Sequence, residues 1–236
     1  ETVCVAGIDL QTNQWVRLYP IPFRDLDSEQ KFKKYNIIEV KAVKAKNDHR
    51  PESYRVDRDT IKVAGSVDYR PNRVNWAERG KIVMPTVSKS MCEILRLSKS
   101  EDKSLGMFKP KTVTFSWEKV SIEKRKERES YYAQKDFLEK KKDPLEDIPY
   151  VFRYSFFCEN EQKCQGHTYA IIDWEIAQSF RSWRRRYKTI EELLKMIEKK
   201  WIGLICASNR DVYFYVGNQL RFRDNFMILG TFYPPF

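Results

Sequence analysis

Along residues 2–9 apolar and polar side chains alternate, and after the polar stretch Gln11–Gln14 the alternation resumes at Trp15–Tyr19. Two such runs around a polar turn predict a β-hairpin. Pro20 and Pro22 should end it, because proline removes a ladder donor. On a strand Trp15, Arg17 and Tyr19 share one face. Asn36–Ala45 alternates as a further strand, and Tyr54–Val56 and Thr60–Val67 read as extended. Pro85-Thr86 opens a predicted helix with Val87, Met91, Ile94 and Leu95 on one side, and Thr112–Trp117 returns to strand. Lysine and glutamate dominate residues 118–147, where Tyr131, Tyr132, Phe137 and Leu138 are the main apolar positions, so a charged helical connector is expected.

Beyond it, Tyr150–Phe157 is an aromatic-rich strand and Tyr169–Ile172 a second one. Asp173 suits an N-cap, Glu175 complements the helix dipole, and Ile176, Phe180, Trp183 and Tyr187 form one apolar stripe. Thr189 with Glu192 matches a capping box, and Leu193, Leu194, Ile197 and Trp201 follow on one face. Gly203–Ala207, Val212–Val216 and Phe226–Phe232 are the closing strands. The expected class is β-rich α+β. An N-terminal barrel-like domain covers residues 1–117, a connector 118–147, and a C-terminal domain with two helices 148–236.

Composition narrows the class. No apolar run is long enough to span a membrane, and no secretory leader pattern is present. Five cysteines, an odd and scattered set, do not make a disulfide scaffold, so a reducing cytoplasm is the expected setting. Cys4, Cys92 and Cys206 stand in apolar runs, where a buried, reduced thiol is the ordinary state. The chain opens at Glu1 already inside a strand pattern, so a preceding segment is expected. Net charge is +11, divided as +7 in residues 1–115, zero in 116–147 and +4 in 148–236. The excess therefore lies on the two folded parts, and basic faces of that kind suit polyanions, nucleic acid first.

Chemistry concentrates between residues 156 and 187. Cys158, Cys164 and His167 place three zinc-type ligands within ten residues. A structural zinc site needs a fourth, for which Cys206, Asp173 or a cysteine from elsewhere is available. The competing reading is a polar hairpin loop with chance cysteines. Asp173 and Glu175 with His167 could serve a metal-dependent nuclease, although capping and the helix dipole already account for both carboxylates. No phosphate-loop, dinucleotide-binding, metalloprotease or hydrolase-elbow motif occurs. His49, beside Asp48 and Arg50, reads as a solvated loop residue.

For nucleic acid, Arg17, Arg50, Arg55, Arg184, Arg185, Arg186, Arg221 and Arg223 are the candidate phosphate contacts. Trp15, Tyr19 and Tyr213 are the candidate stacking residues. Several stretches together resemble an uncharacterised prokaryotic family described as dual OB-containing. They are Trp15-Val16-Arg17-Leu18-Tyr19-Pro20, Arg50-Pro51-Glu52-Ser53-Tyr54, the Cys158–His167 stretch into Asp173-Trp174-Glu175, Val212–Asn218, and the ending Gly230–Pro235. The resemblance implies two small β-barrels and, by fold analogy alone, nucleic-acid binding in prokaryotic defence, with other defence proteins as further partners. A structural adaptor within a complex is the remaining alternative.

Overall fold

The computed structural model describes residues 2–68, 74–123, 126 and 147–236. Most of the expected connector, with its four apolar positions, lies outside the described residues. The N-terminal part contains β1 (Val3–Ile8), β2 (Trp15–Ile21), β3 (Asn36–Glu39), β4 (Ala42–Lys44), β5 (Ser53–Val56), β6 (Lys62–Ser66) and α1 (Trp76–Val83). The remainder contains β7 (Val87–Ser88), α2 (Met91–Glu101), β8 (Leu105–Phe108), β9 (Pro110–Lys119), β10 (Tyr150–Cys158) and β11 (His167–Ala170). It closes with α3 (Trp174–Trp183), α4 (Ile190–Trp201), β12 (Tyr213–Gln219) and β13 (Phe222–Phe232).

Four sheets result, with strand orders β1-β2-β5-β4, β3-β6, β13-β12-β8-β7 and β11-β10-β9. The class is β-rich α+β as the patterning predicts, but no closed barrel forms among the described residues. The predicted hairpin forms, with Ile8 opposite Trp15 and Ala6 opposite Arg17, and β2 continues through Pro20 to Ile21. Asn36–Ala45 divides between β3 and β4, which join different sheets. The helix expected from Pro85 starts at Met91 with Ser90 as its cap, and Val87 sits in a short strand. Gly203–Ala207 is a series of turns after α4 rather than a strand. The helix from Asp173 stops at Trp183, leaving Arg184–Arg186 in a turn.

Strands β8 and β9, placed on the sequence with the N-terminal domain, pair instead with β12 and β10. The first unit thus ends before β7, not at residue 117. The reason is burial: Phe108 lies in the C-terminal core with Phe152, Tyr154, Phe156 and Phe214, where each ring removes its full apolar surface from water. The N-terminal unit has a smaller core of Leu18, Ile21, Leu26 and Ile61. A third cluster joins the two, with Ile8, Trp15 and Tyr35 against Met107, Tyr213, Tyr215 and Phe232.

Polar contacts reinforce that junction. Buried Glu52 accepts from the backbone N–H of Ser104 (2.9 Å) and Leu105 (3.4 Å) and from the Ser104 hydroxyl (3.2 Å). Arg17 Nη2 donates to the Ser104 carbonyl (3.1 Å) and hydroxyl (3.0 Å), and Arg50 Nη1 donates to the Asn218 carbonyl (3.1 Å). The Tyr35 and Tyr215 hydroxyls meet at 3.0 Å. Lys34 reaches Asp173 (3.3 Å) and Glu175 (3.5 Å). Burying such groups is costly unless each is paired, and most are paired across the junction, with Arg17 Nε and Trp15 Nε1 the buried nitrogens there that take no hydrogen bond among the described residues. Among the described residues no helix is long and apolar enough to cross a membrane.

Candidate metal centre

Cys158 closes β10 and His167 opens β11, so the strand pair itself brings both to one end. Between them a tight connection carries Cys164 back towards the strand ends, and Gly166 makes this possible with φ +87°. Any other residue there would be strained, and a Cβ would stand 3.3 Å from the Phe157 ring. The backbone N–H groups of Cys158 and Gly166 both donate to Cys164 Sγ at 3.4 Å. That geometry stabilises a thiolate before any ion arrives.

The fourth ligand is Cys92, in the first turn of α2, a helix held at its start by Ser90 accepting from Glu93 N–H at 3.0 Å. Cys92, Cys158 and Cys164 each place their sulfur 3.4 Å from His167 Nε2, and Cys92 and Cys158 are 3.8 Å apart, sulfur to sulfur. All four ligand atoms lie within 4.8 Å of one another. A tetrahedral zinc with its usual bond lengths requires S···S edges of about 3.8 Å and S···N edges of about 3.6 Å. The donor set and the edges fit zinc, with no position left open for a substrate. Arg96, one turn along α2 from Cys92, pairs with Glu161 of the connection at 3.2 Å, tying the same two elements at the rim.

Without a metal, burial and the neighbouring sulfurs push the Cys92 thiol up to about 12, and burial raises Cys158. Burial also acts to raise Cys164, but the two backbone donors and the adjacent thiols outweigh it and bring this thiol below its ordinary value. Burial lowers His167, which favours the neutral imidazole that a metal needs. Metal binding must therefore displace protons from the sulfurs, and this makes loading pH-dependent.

Cys206 and Asp173, the nearby alternatives for the fourth ligand, are engaged elsewhere. Cys206 is half-buried beside Tyr154, and Asp173 caps α3 by accepting from Glu175 N–H at 3.0 Å while holding Lys34. Burial raises the Asp173 carboxyl despite the lysine. The proposed nuclease set is thus split: His167 faces three sulfurs, and Asp173 and Glu175 face Lys34. Cys92 escaped the sequence reading because it stands 66 positions before Cys158 in a helix pattern. The available signal was arithmetic, since three soft ligands imply a fourth and few cysteines remained.

The nucleic-acid candidates separate by burial. Arg17 is buried against Ser104 and Cys4, Arg50 is buried against Asp48 and Asn218, and Tyr213 is buried in the junction cluster with its hydroxyl on Asp211. None of the three presents a side chain to a large ligand: Arg17 and Arg50 reach into the second unit, and Tyr213, on β12 of that unit, is packed in the junction cluster. Trp15 is half-buried there too, edge-on to Tyr215 at 6.0 Å. Arg223 pairs with Asp102 at 2.7 Å. Tyr19, Arg55, Arg184, Arg185, Arg186 and Arg221 are exposed.

No curated protein and no solved structure matches the chain. Residues 1–85 match the family described as domain of unknown function DUF8758. That limit agrees with the sheets, which assign β7 onward to the second unit. Residues 87–236, which hold the whole Cys92–Cys158–Cys164–His167 centre, match a second such family, and by that match over more than half its length the chain belongs to DUF8757, a domain of unknown function.

Proposed function

We propose that this chain is a nucleic-acid-binding module whose C-terminal unit is locked by a structural zinc ion. The zinc part rests on the closed Cys3His set and its tetrahedral edges. The binding part is carried by the turn after α3, where Arg184, Arg185 and Arg186 are consecutive and exposed. The C-terminal dipole of α3 favours nearby cations, and Arg185 and Arg186 add two adjacent exposed guanidinium groups that repel one another. A polyphosphate backbone would relieve that repulsion. Arg181, one turn earlier, lies over the Trp174 ring at 5.5 Å and extends the basic side of the helix. The OB-like character of the two units and a role in prokaryotic defence belong to this proposal as well, supported by the small β-rich architecture and the sequence resemblance.

The test is binding of labelled DNA and RNA, single-stranded and duplex, across a salt series. Binding should weaken linearly on a log–log plot, and changing Arg184 and Arg185 together to alanine should flatten the slope by roughly 1 to 2. Absence of binding to every nucleic acid at low salt would refute the proposal.

A further inference from the structure

The first sheet has a face that the second unit covers only in part. On β2 the outward set is Trp15, Arg17 and Tyr19, and its partners are Ile8 and Ala6 on β1 and Ser53 on β5. The C-terminal unit covers Trp15 and Arg17 and stops there. Extending the Arg17–Ser53 and Leu18–Tyr54 register by one residue aligns Tyr19 on β2 with Arg55 on β5, and Val43 on β4 is directly opposite Arg55, so three open residues form one row. Tyr19 is 52% and Val43 67% exposed, and Arg55 is exposed. The alternate residues Leu18, Tyr54 and Val56 point into the N-terminal core, which fixes the direction of the row.

The surroundings are basic for a specific reason. Between residues 41 and 56 the acidic side chains are Asp48 and Glu52, and both are consumed internally. Asp48 holds Arg50, and Glu52 is buried on Ser104 and Leu105. Lys41, Lys46 and Arg55 remain exposed in the same segment, while Lys44, opposite Tyr54, lies over that ring and donates to the Pro51 carbonyl. Among the described residues Lys41, Lys46 and Arg55 take no ion-pair partner. Just beyond, Asp57 accepts from Asp59 N–H and Asp59 pairs with Arg58, so both carboxylates already have partners.

From this geometry we infer that the Tyr19–Arg55–Val43 row is a binding site for unpaired nucleotides, distinct from the arginine turn after α3. The inference rests on the nucleic-acid reading above and gives it a strand preference. Adjacent strands are about 4.8 Å apart, so the row extends about 10 Å, enough for about two nucleotides lying across it. An exposed tyrosine ring on a sheet offers a stacking surface for the face of a base, and a duplex hides base faces within its stack while showing edges in its grooves. Arg55 and the flanking lysines would take the phosphates, and Val43 would pack against a base or sugar. A basic face alone would not distinguish strands from duplex; the exposed ring within it does.

Anisotropy titrations with a labelled mixed-sequence oligonucleotide of about 12 nucleotides, as single strand and as duplex, test this. The single strand should bind at least about ten-fold more tightly than the duplex. Tyr19→Ala should weaken single-strand binding roughly ten-fold to a hundred-fold with an unchanged salt slope, and Tyr19→Phe should retain it. Arg55→Ala should flatten the slope by about 1. All three positions are exposed, so these variants should fold, which their thermal melts will verify. Equal or tighter duplex binding with Tyr19→Ala silent would overturn the row as a site and leave the broader reading standing. No binding of either form would remove both. A concentration-dependent dimer lost in Val43→Lys would identify the row as a self-association edge and also overturn the inference.

Discussion

Replacing Cys92 with serine probes the metal centre at the ligand that comes from outside the β10–β11 pair. Serine preserves the size and the helix start, but its hydroxyl stays protonated and is a poor zinc donor. The C-terminal core, from Phe108 through Phe156 to Trp201 and Phe214, is built mostly from apolar residues outside the centre, which adds Cys158 to it with Cys92 and Cys164 at its edge. Metal loss should therefore loosen α2 and the Cys158–His167 connection without unfolding the unit. The binding energies of about 10–16 kcal/mol known for structural zinc in peptides lacking a core are not at stake as a whole. What counts is mass action: free zinc at about a thousand times Kd adds about 4 kcal/mol to the folded state. For a unit of this size that corresponds to about 8–16 °C in Tm. Protein purified without chelator should carry about one zinc per chain by elemental analysis, and chelator should lower its Tm by that interval. Cys92→Ser should hold less than about 0.2 zinc and melt at the chelated temperature with or without chelator. Cys206→Ser, whose thiol lies by Tyr154, should keep its metal. The reasoning fails if the wild type contains no metal, or if Cys92→Ser retains zinc under conditions in which Cys164→Ser loses it.

Two further outcomes concern the junction and the loop beside it. Glu52→Ala leaves the N–H groups of Ser104 and Leu105 without their acceptor in a buried setting, so urea unfolding should show a loss of about 3 kcal/mol or more; less than about 1 kcal/mol would mean that water replaces the carboxylate. Asp48 is brought down to about 2 from an ordinary value of 3.8, because the Arg50 guanidinium and N–H outweigh the raising effect of burial. A carboxyl lowered on folding contributes above its unfolded pKa and loses that contribution as pH falls through the folded one. Wild-type stability should thus drop by about 2 kcal/mol between pH 4 and 2 from this group, a loss that Asp48→Asn should not show. Parallel acid profiles for the two proteins would refute the assignment.

What the sequence determined by itself is what depends on neighbours within a turn or two. Thr189 and Glu192 make the capping box, Asp173 caps its helix, and Ile176 and Phe180 are buried on the predicted stripe. The β1–β2 hairpin follows from alternation and a short turn, whereas β12 runs on through Gly217 and Asn218, which the sequence reads as a turn, to Gln219. Cys158, Cys164 and His167 were legible as a ligand group because ten residues of chain cannot carry them far apart. Only the tertiary structure decided which residues distant along the chain meet. Periodicity states that a face is outward, not whether another unit lies on it. The row Trp15, Arg17, Tyr19 has one pattern and two fates, with Arg17 buried under Ser104 and Tyr19 open to solvent. Arg50 was hidden in the same way, by Asn218 about 170 positions off, whereas Tyr213 packs on Phe232 of its own unit within the junction cluster. Cys92 became a ligand because α2 packs beside β8 and brings its first turn to the end of β10. That placement is set by core packing around Ile94 and Phe108, and no local spacing in the chain encodes it.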